Sequence, residues 1–392
     1  MWMAIRLADG MHRIGTESAF AVLARARALE AQGKSIIHMQ IGEPDFETPA
    51  HIIEAGVGAL QNGWTHYGPA QGDPELREAI SAYIADSRGA LYGADQVLVT
   101  PGGKPVMFFA IMALLQTGDE AIYPDPGFPI YRSMIEYTGA KAVPSVLREQ
   151  NDFRLDTDEL RSLVNERTRL LILNTPGNPC GNVLPQADLE AIAEIAIEHD
   201  LVVLSDEIYG ELQYDGEHAS IAAVPGMNER TILLDGFSKT FAMTGWRLGY
   251  GLCPPELIEP LTTLMVNSAS CTNVAAQRAA IAALTGPWDD VQRFRSAFQS
   301  RRSLIVDGLN AVPGVSCVLP HGAFYAFPNI SSFGMSSDTY ANRLLDEYGV
   351  ATVSGTSFGD AGEGYVRLSY ATSEANIAEA LLRVKQAASA WA

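Results

Sequence analysis

The sequence lacks the features that mark several large classes of protein. Its four cysteines are far apart and form no CxxC pair, which is unlike a disulfide framework and typical of reduced thiols. Its seven histidines show no HxH or HxxxH spacing, so we expect no metal site. The longest apolar run, VMFFAIMALL, is shorter than the ~18–20 residues of a membrane span, and the opening MWMAIRLADGMHR lacks a secretion signal. These absences predict a cytoplasmic protein that does not bind a membrane.

Basic residues are scarce as well. The chain has 27 Lys and Arg against 46 Asp and Glu, for a formal net charge of −19, which leaves no positive field to attract nucleic acid. No G-x-G-x-x-G motif follows a predicted strand, so we expect no dinucleotide site. An anionic small molecule would therefore need a local cluster of cations.

The pattern along the chain predicts an α/β fold. Runs that are apolar on both faces read as buried strands at QVLVT (96–100), DEAIYP (119–124), RLLILN (169–174), DLVVLSDE (200–207) and RTILLDG (230–236). Helices are predicted at about 17–32, from Asp73-Pro74 to Gly89, from Gly103, near Phe128 and from Pro185. This alternation indicates a mainly parallel central sheet sandwiched by helices.

The length of 392 residues exceeds the ~250–300 at which a single core stops growing. From residue 287 the texture changes to a long charged helix, short strands and a closing helix. We therefore predict a large domain over 46–286 and a smaller α+β domain over 287–392, with the segment 1–45 packing against the smaller one.

Polar side chains follow the predicted strands, where an open α/β sheet binds ligands. They are Asn174 and Asn178, Asp206 and Tyr209, Lys239 with Arg247, and the glycine amides of TPGGK (100–104) at a helix start. This set fits pyridoxal phosphate (PLP), because a lysine forms a Schiff base with its aldehyde and an acid partners its pyridine nitrogen. Cations and helix amides then hold its phosphate.

With these motifs the chain resembles the fold-type I PLP-dependent aminotransferases of class I/II, in the aspartate aminotransferase-like branch. The likeness runs through IGEPDFETP (41–49), THYGPAQGDPELREAI (65–80), NPCG, SDEIY, SKTFAMTGWRLGY and YVRLSYATSEANI (365–377). So many motifs in order make the match specific. It implies an amino acid and a 2-oxo acid as substrates and a homodimer with shared active sites.

The resemblance implies roles for single residues. Lys239 forms the Schiff base and carries the substrate proton, and burial beside the Arg247 cation should lower its pKa. Asp206 keeps the pyridine nitrogen protonated, Tyr209 and Asn178 bind the ring hydroxyl, and Phe128 stacks on the ring. The phosphate site comprises Arg247, Ser238, the amides of Gly103 and Lys104, and Tyr67 from a neighbouring subunit. Arg367 grips the substrate α-carboxylate in a pocket that Gly42 lines.

Three positions depart from the family pattern. Cys180 replaces the threonine of NPTG, Gly236 stands where many relatives have a phosphate-binding serine, and Pro105 offers no amide. The last two affect the details of the phosphate site.

The same residues are also compatible with more ordinary roles and with different functions. Singly, Lys239 reads as a surface lysine, Asp206 as a helix cap and Arg367 as an ion-pair partner. A PLP-dependent C–S lyase, or another non-transaminating enzyme, is the alternative on the same fold. A regulator needs a DNA-binding domain, for which we expect no room before IGEPDF. The GTSFG motif (355–359) lacks the later histidine of a serine hydrolase.

Glu17 is the one candidate for side-chain selection. It falls in an N-terminal segment that often lines the side-chain pocket of such enzymes, where it would favour basic or polar amino acids. The simpler interpretation is a solvated charge near a helix start. No residue can be assigned from the sequence to a distal carboxylate.

Overall fold

A computed structural model describes residues 5–391 of the chain. Its helices are α1 (Ser18–Glu30), α2 (Ala50–Gln61), α3 (Pro74–Arg88), α4 (Lys104–Leu114), α5 (Ile130–Thr138), α6 (Thr157–Leu163), α7 (Gln186–Glu198), α8 (Phe237–Thr240), α9 (Pro255–Ala269), α10 (Val274–Thr285), α11 (Asp289–Asn310), α12 (Ser337–Tyr348) and α13 (Glu374–Trp391). Its strands are β1 (Ile37–His38), β2 (Val97–Thr100), β3 (Glu120–Asp125), β4 (Lys141–Val146), β5 (Thr168–Asn174), β6 (Val202–Asp206), β7 (Thr231–Gly236), β8 (Gly249–Leu252), β9 (Tyr325–Ala326), β10 (Val350–Ala351), β11 (Val353–Ser354) and β12 (Val366–Ser369).

A seven-stranded sheet with the order β2-β8-β7-β6-β5-β3-β4 forms the centre of the molecule. Every neighbouring pair is parallel except the two that β8 makes with β2 and β7. The central strands are buried along almost their whole length because their side chains are apolar on both faces. The predicted mainly parallel α/β sheet is confirmed.

Two strands of this sheet are absent from the sequence prediction. β4 is an edge strand with partly exposed residues and contains Pro144, which is tolerated at an edge. β8 reads GYGL, and glycine is depleted in strands. The predicted start and end of α3 are correct, since the Asp73 side chain accepts a hydrogen bond from the Glu75 amide and Gly89 closes the helix at φ 69°.

The C-terminal part of the chain forms strands that are separate from the seven-stranded sheet. β11, β12 and β9 form an antiparallel sheet, and β1 near the N-terminus pairs in parallel with β10. An apolar cluster that includes Phe294 and Phe298 of α11 and Phe324 fills the space behind it. The predicted domain boundaries stay a prediction. Residues 1–4 of the predicted N-terminal segment and residue 392 of the predicted C-terminal domain lie outside the described residues.

Within residues 5–391, no helix is both long enough and apolar enough to cross a membrane.

Candidate active site

A cavity of about 510 Å³ opens at the edge of the sheet where the parallel strands end. Eleven of the predicted site residues line it: Gly42, Gly103, Lys104, Phe128, Asn178, Asp206, Tyr209, Ser238, Lys239, Arg247 and Arg367. Tyr67 does not; it is 90% exposed and lies in a separate depression beside Trp64 and Cys271. A larger cavity of about 680 Å³ shares Glu43, Thr244 and Gly245 with the first, but neither Lys239 nor Asp206 lines it.

Lys239 stands on the short helix α8, directly after β7. Its Nζ donates a hydrogen bond of 2.5 Å to the carbonyl of Gly42. Burial lowers its pKa to about 8, the charges of Arg367 and Arg247 add to this, and Glu43 and Glu17 oppose it. The sequence predicts this direction and names burial and Arg247 as its causes, but it does not predict the contribution of Arg367, which is larger than that of Arg247.

Asp206 ends β6 with a buried carboxylate. Its Oδ2 accepts a 2.7 Å hydrogen bond from the hydroxyl of Tyr131, and its Oδ1 accepts one of 3.3 Å from the amide of Ile208. Burial raises its pKa to about 6, and these two hydrogen bonds hold it from rising further. No side chain of the described residues forms a salt bridge with it within 4.0 Å, so the carboxylate is available to a cationic group in the cavity.

Arg367, on β12, is also buried. It donates 2.9 Å to Asn178 Oδ1 and 2.6 Å to the carbonyl of Gln40, and it lies between the rings of Tyr325 and Phe358, at 4.5 and 4.8 Å from their centroids. Its Nε is buried without a hydrogen-bond partner in the described structure. An unpartnered guanidinium nitrogen is costly unless a ligand satisfies it.

Tyr209 follows β6 and shares a 2.6 Å hydrogen bond with the hydroxyl of Tyr325. Burial raises its pKa well above the ordinary value, so the phenol stays protonated. Gly42 is required beside this pair, because a Cβ at that position would collide with the Tyr325 hydroxyl.

Cationic and amide groups also line the cavity. Gly103 and Lys104 begin α4, Arg247 lies against the preceding loop, and Ser238 is buried on α8. Gly102 has φ +89°, and a Cβ there would strike the Arg247 guanidinium. A helix N-terminus beside an arginine is an anion-binding arrangement.

The family departures have local structural reasons. A Cβ on Gly236 would lie 3.0 Å from the Cα of Gly249 and 3.2 Å from Ile208, so there is little room for serine. Pro105 is the second residue of α4, where the fixed φ suits a first turn and no amide is needed by the helix. Cys180 is buried, and burial raises the pKa of its thiol well above the usual value.

The residues at the site that the sequence does not predict include Tyr131, Tyr325 and Glu43. The two tyrosines reach the site from elements 75 and 116 residues away from their hydrogen-bond partners, and nothing in the local sequence signals such contacts. Glu43 lies within IGEPDF, so this motif did offer a signal; its carboxylate accepts a hydrogen bond from the Thr244 hydroxyl.

These groups fit PLP. A lysine with a lowered pKa can form a Schiff base, the carboxylate of Asp206 can face the ring nitrogen, and the helix N-terminus with Arg247 can hold the phosphate. Arg367 lines the same cavity, where its guanidinium can bind a substrate carboxylate.

Comparison with known proteins agrees with this chemistry. The model of the family "Aminotransferase class I and II" matches residues 34–384. The chain is 43% identical over 357 residues to an aspartate aminotransferase of Pyrococcus abyssi, covering 90% of this chain and 92% of the relative. It is 43% identical over 363 residues to aromatic-amino-acid aminotransferase 2 of Thermococcus litoralis, covering 91% and 92%.

A solved structure, the aspartate aminotransferase of Thermus thermophilus with maleate, superposes with a TM-score of 0.94 at 39% identity and covers 98% of this chain and 100% of the other. The family match spans all three sheets and the cavity lining from Ile41 to Arg367, and it begins after Glu17, Ala19 and Phe20, which also line the cavity. The chain therefore belongs to the class I and II aminotransferases, in the aspartate aminotransferase-like branch, and is a PLP-dependent transaminase.

Proposed function

We propose that the protein moves the amino group of an L-amino acid, aspartate-like or of broader range, to a 2-oxo acid such as 2-oxoglutarate in a ping-pong sequence. The observation that carries this proposal is the position of Lys239 in the cavity, where burial lowers its pKa to about 8 and leaves part of its amine neutral near physiological pH. It shares one cavity with Asp206 and Arg367. When bound, PLP supplies the aldehyde that exchanges for the amino group and a ring that accepts electrons from the substrate.

Arg367 and Lys239 act on the substrate in this proposal. Arg367 binds the α-carboxylate with the donors that protein atoms leave free, its plane fixed by the flanking rings and by Asn178. A guanidinium does this in two parallel hydrogen bonds, which a lysine does not match. Lys239 Nζ removes the proton from the α-carbon, because its neutral amine is the base within the cavity.

The remaining residues hold the cofactor. Asp206 faces the ring nitrogen as a carboxylate, and Tyr209 and Asn178 donate to the ring hydroxyl. Phe128 packs on the ring face. The phosphate site consists of Arg247, Ser238 and the amides of Gly103 and Lys104. Their positions in one cavity support these assignments.

The substrate range rests on the relatives and on the cavity. Two relatives are named for aspartate and for aromatic amino acids. Phe20, Met107 and Ile41 give the cavity an apolar wall, and Lys104 gives it a charged position. Both acidic and apolar donors are therefore consistent with the lining.

A homodimer is part of the proposal because Tyr67 is 90% exposed and lies outside the cavity of its own chain. In the dimer its hydroxyl reaches the phosphate site of the partner. The pairing of β1 with β10 supports the association of the N-terminal segment with a C-terminal domain over 287–392. The cytoplasmic location stays a prediction from the cysteine pattern and from the lack of a secretion signal and of a long apolar run in the sequence.

Steady-state kinetics test the function. With donor and acceptor both varied, double-reciprocal plots should be parallel, and Lys239→Ala should abolish turnover while still binding PLP without a covalent bond. Intersecting plots, or normal turnover in Lys239→Ala, contradict the proposal. Release of ammonia without an acceptor would identify a lyase instead.

A further inference from the structure

One wall of the cavity carries an ion pair that the proposed chemistry does not use. Lys104 Nζ contacts the carboxylate of Glu17, and both residues line the cavity. Glu17 directly precedes α1 and Lys104 begins α4, so the pair connects the N-terminal helix to the large sheet. Their side chains are 20% and 43% exposed, which leaves both free to move toward solvent.

The side-chain ammonium of Lys104 has no role in the proposed function, which uses only the backbone amide of this residue. Of the four cations among the described residues of the lining, Lys239, Arg247 and Arg367 are assigned to the cofactor, its phosphate and the α-carboxylate. The Lys104 ammonium lies 5.5 Å from the centre of the Phe128 ring. It therefore stands beside the cofactor face, within reach of a substrate side chain.

Glu17 is close to the substrate as well. Burial lowers the pKa of Arg367, and the charge of Glu17 opposes that effect. Burial raises the pKa of Tyr325, and Glu17 adds to it. Glu17, Tyr325 and Arg367 line the same cavity, so the carboxylate shares the cavity with the guanidinium that binds the substrate in the proposed function.

We propose that Glu17 is a displaceable internal ligand of Lys104, held where the side-chain carboxylate of a dicarboxylic substrate binds. Substrates with uncharged side chains leave the pair closed and contact the apolar wall. A dicarboxylic amino acid or oxo acid takes the place of Glu17 on Lys104, and Glu17 turns toward solvent. Partly exposed ion pairs are weak, so this exchange is energetically accessible. The inference rests on the proposed function, because it assumes that Arg367 holds the α-carboxylate.

This role of Glu17 differs from the alternative in which its carboxylate binds the side chain of a basic substrate. Glu17 already has a cation within contact distance, so an arginine or lysine side chain would compete with Lys104 for it. A dicarboxylate instead competes with Glu17 for Lys104. Neutralising Glu17 should therefore strengthen dicarboxylate binding, whereas a counter-ion role predicts weaker binding of basic donors.

The test compares two unreactive ligands on the PLP-loaded protein by calorimetry. Succinate has a second carboxylate and butyrate has the same chain length with only one. Glu17→Gln should lower the dissociation constant of succinate by about three- to fivefold, the upper part of the range for a partly exposed ion pair. The dissociation constant of butyrate should change less than about twofold. The ratio of the two dissociation constants therefore excludes any effect that the lost charge of Glu17 has on Arg367, because Arg367 binds both ligands.

Two controls make the result specific. In a Lys104→Met background, Glu17→Gln should leave the succinate-to-butyrate ratio unchanged, because the cation that the ligand and Glu17 share is gone. Glu30→Gln removes the same charge from the other end of α1, where Glu30 pairs with His38 at 3.0 Å, and it should leave the ratio unchanged.

An unchanged ratio in Glu17→Gln overturns the inference, as does an equal gain for butyrate. Loss of arginine turnover with no change for succinate overturns it in favour of a counter-ion for basic donors. The proposed function is judged separately by the 2-oxo acid that the wild-type protein forms from an amino acid. If that product appears and the ratio does not respond, the inference fails alone.

Discussion

Tyr131→Phe is the sharpest test of how the fold sets the charge of Asp206. The hydroxyl of Tyr131 donates the shorter of the two hydrogen bonds that the buried carboxylate accepts, at 2.7 Å against 3.3 Å for the Ile208 amide. Burial raises the pKa of Asp206 to about 6, and the Tyr131 hydroxyl opposes burial. Removing that hydroxyl should raise the pKa further.

The size of the effect follows from the hydrogen bond. A hydrogen bond to a charged group contributes about 1.5–3 kcal/mol, which corresponds to about one to two pH units. The pKa of Asp206 in the variant should then be about 7–8. Because PLP binds the ionised carboxylate in this account, its affinity should fall as pH drops below the pKa of Asp206 in each protein. The dissociation constants should differ by about 10- to 100-fold at pH 5 and converge at about pH 9.

The assay is a fluorescence titration of the apoprotein with PLP from pH 5 to pH 9. Tyr92→Phe is the matched control, since Tyr92 is a buried tyrosine whose hydroxyl donates 2.9 Å to the carbonyl of Thr231. Tyr92→Phe also removes a buried hydroxyl, but one that contacts the first residue of β7, at the opposite end of the strand from Lys239. Coincident pH profiles for Tyr131→Phe and the wild-type protein would refute the reasoning.

Three further predictions concern other parts of the site. Asp206→Ala leaves the ring nitrogen of bound PLP without its carboxylate, and since breaking a buried ion pair costs about 3–5 kcal/mol, kcat/KM should fall by roughly two to four orders of magnitude; a loss below tenfold counts against the role. Burial lowers the pKa of Lys239 to about 8, so labelling of the apoprotein lysine by fluorodinitrobenzene, located by mass spectrometry, should rise up to about pH 8 and then level off. An unshifted lysine would continue to gain reactivity to about pH 10.4. Gly236→Ser places a Cβ 3.0 Å from the Cα of Gly249 and should lower the free energy of unfolding in urea by about 1–3 kcal/mol. Gly58→Ser is the control, because its Cβ would meet nothing within 4 Å, and it should not lower the free energy of unfolding. Equal losses in both variants would contradict the steric argument.

The sequence predicts which side chains lie together where local pattern decides position. Asn174, Asp206 and Lys239 each follow an apolar run, and parallel strands bring their ends to one edge, so their convergence follows from the strand pattern alone. The helix signals at Asp73 and Gly89 are equally local. The family motifs extend this to Arg367, which lies on a different sheet.

The rest depends on contacts between distant segments. The hydrogen bond between Tyr209 and Tyr325 and the ion pair between Glu17 and Lys104 each join elements that no local pattern relates. β8 was missed because its glycines favour no strand in isolation. Those glycines matter in the fold, since a Cβ on Gly249 would strike the backbone of the loop before α4.

The central claim is that this site transaminates through PLP bound at Lys239. The most direct measurement is the visible spectrum of the PLP-loaded protein as each of the twenty L-amino acids is added singly, with no 2-oxo acid present. The account predicts that the band of the lysine-bound aldehyde form converts to that of the amine form for some donors, with one equivalent of 2-oxo acid released. A band that forms and never converts with any donor would contradict it.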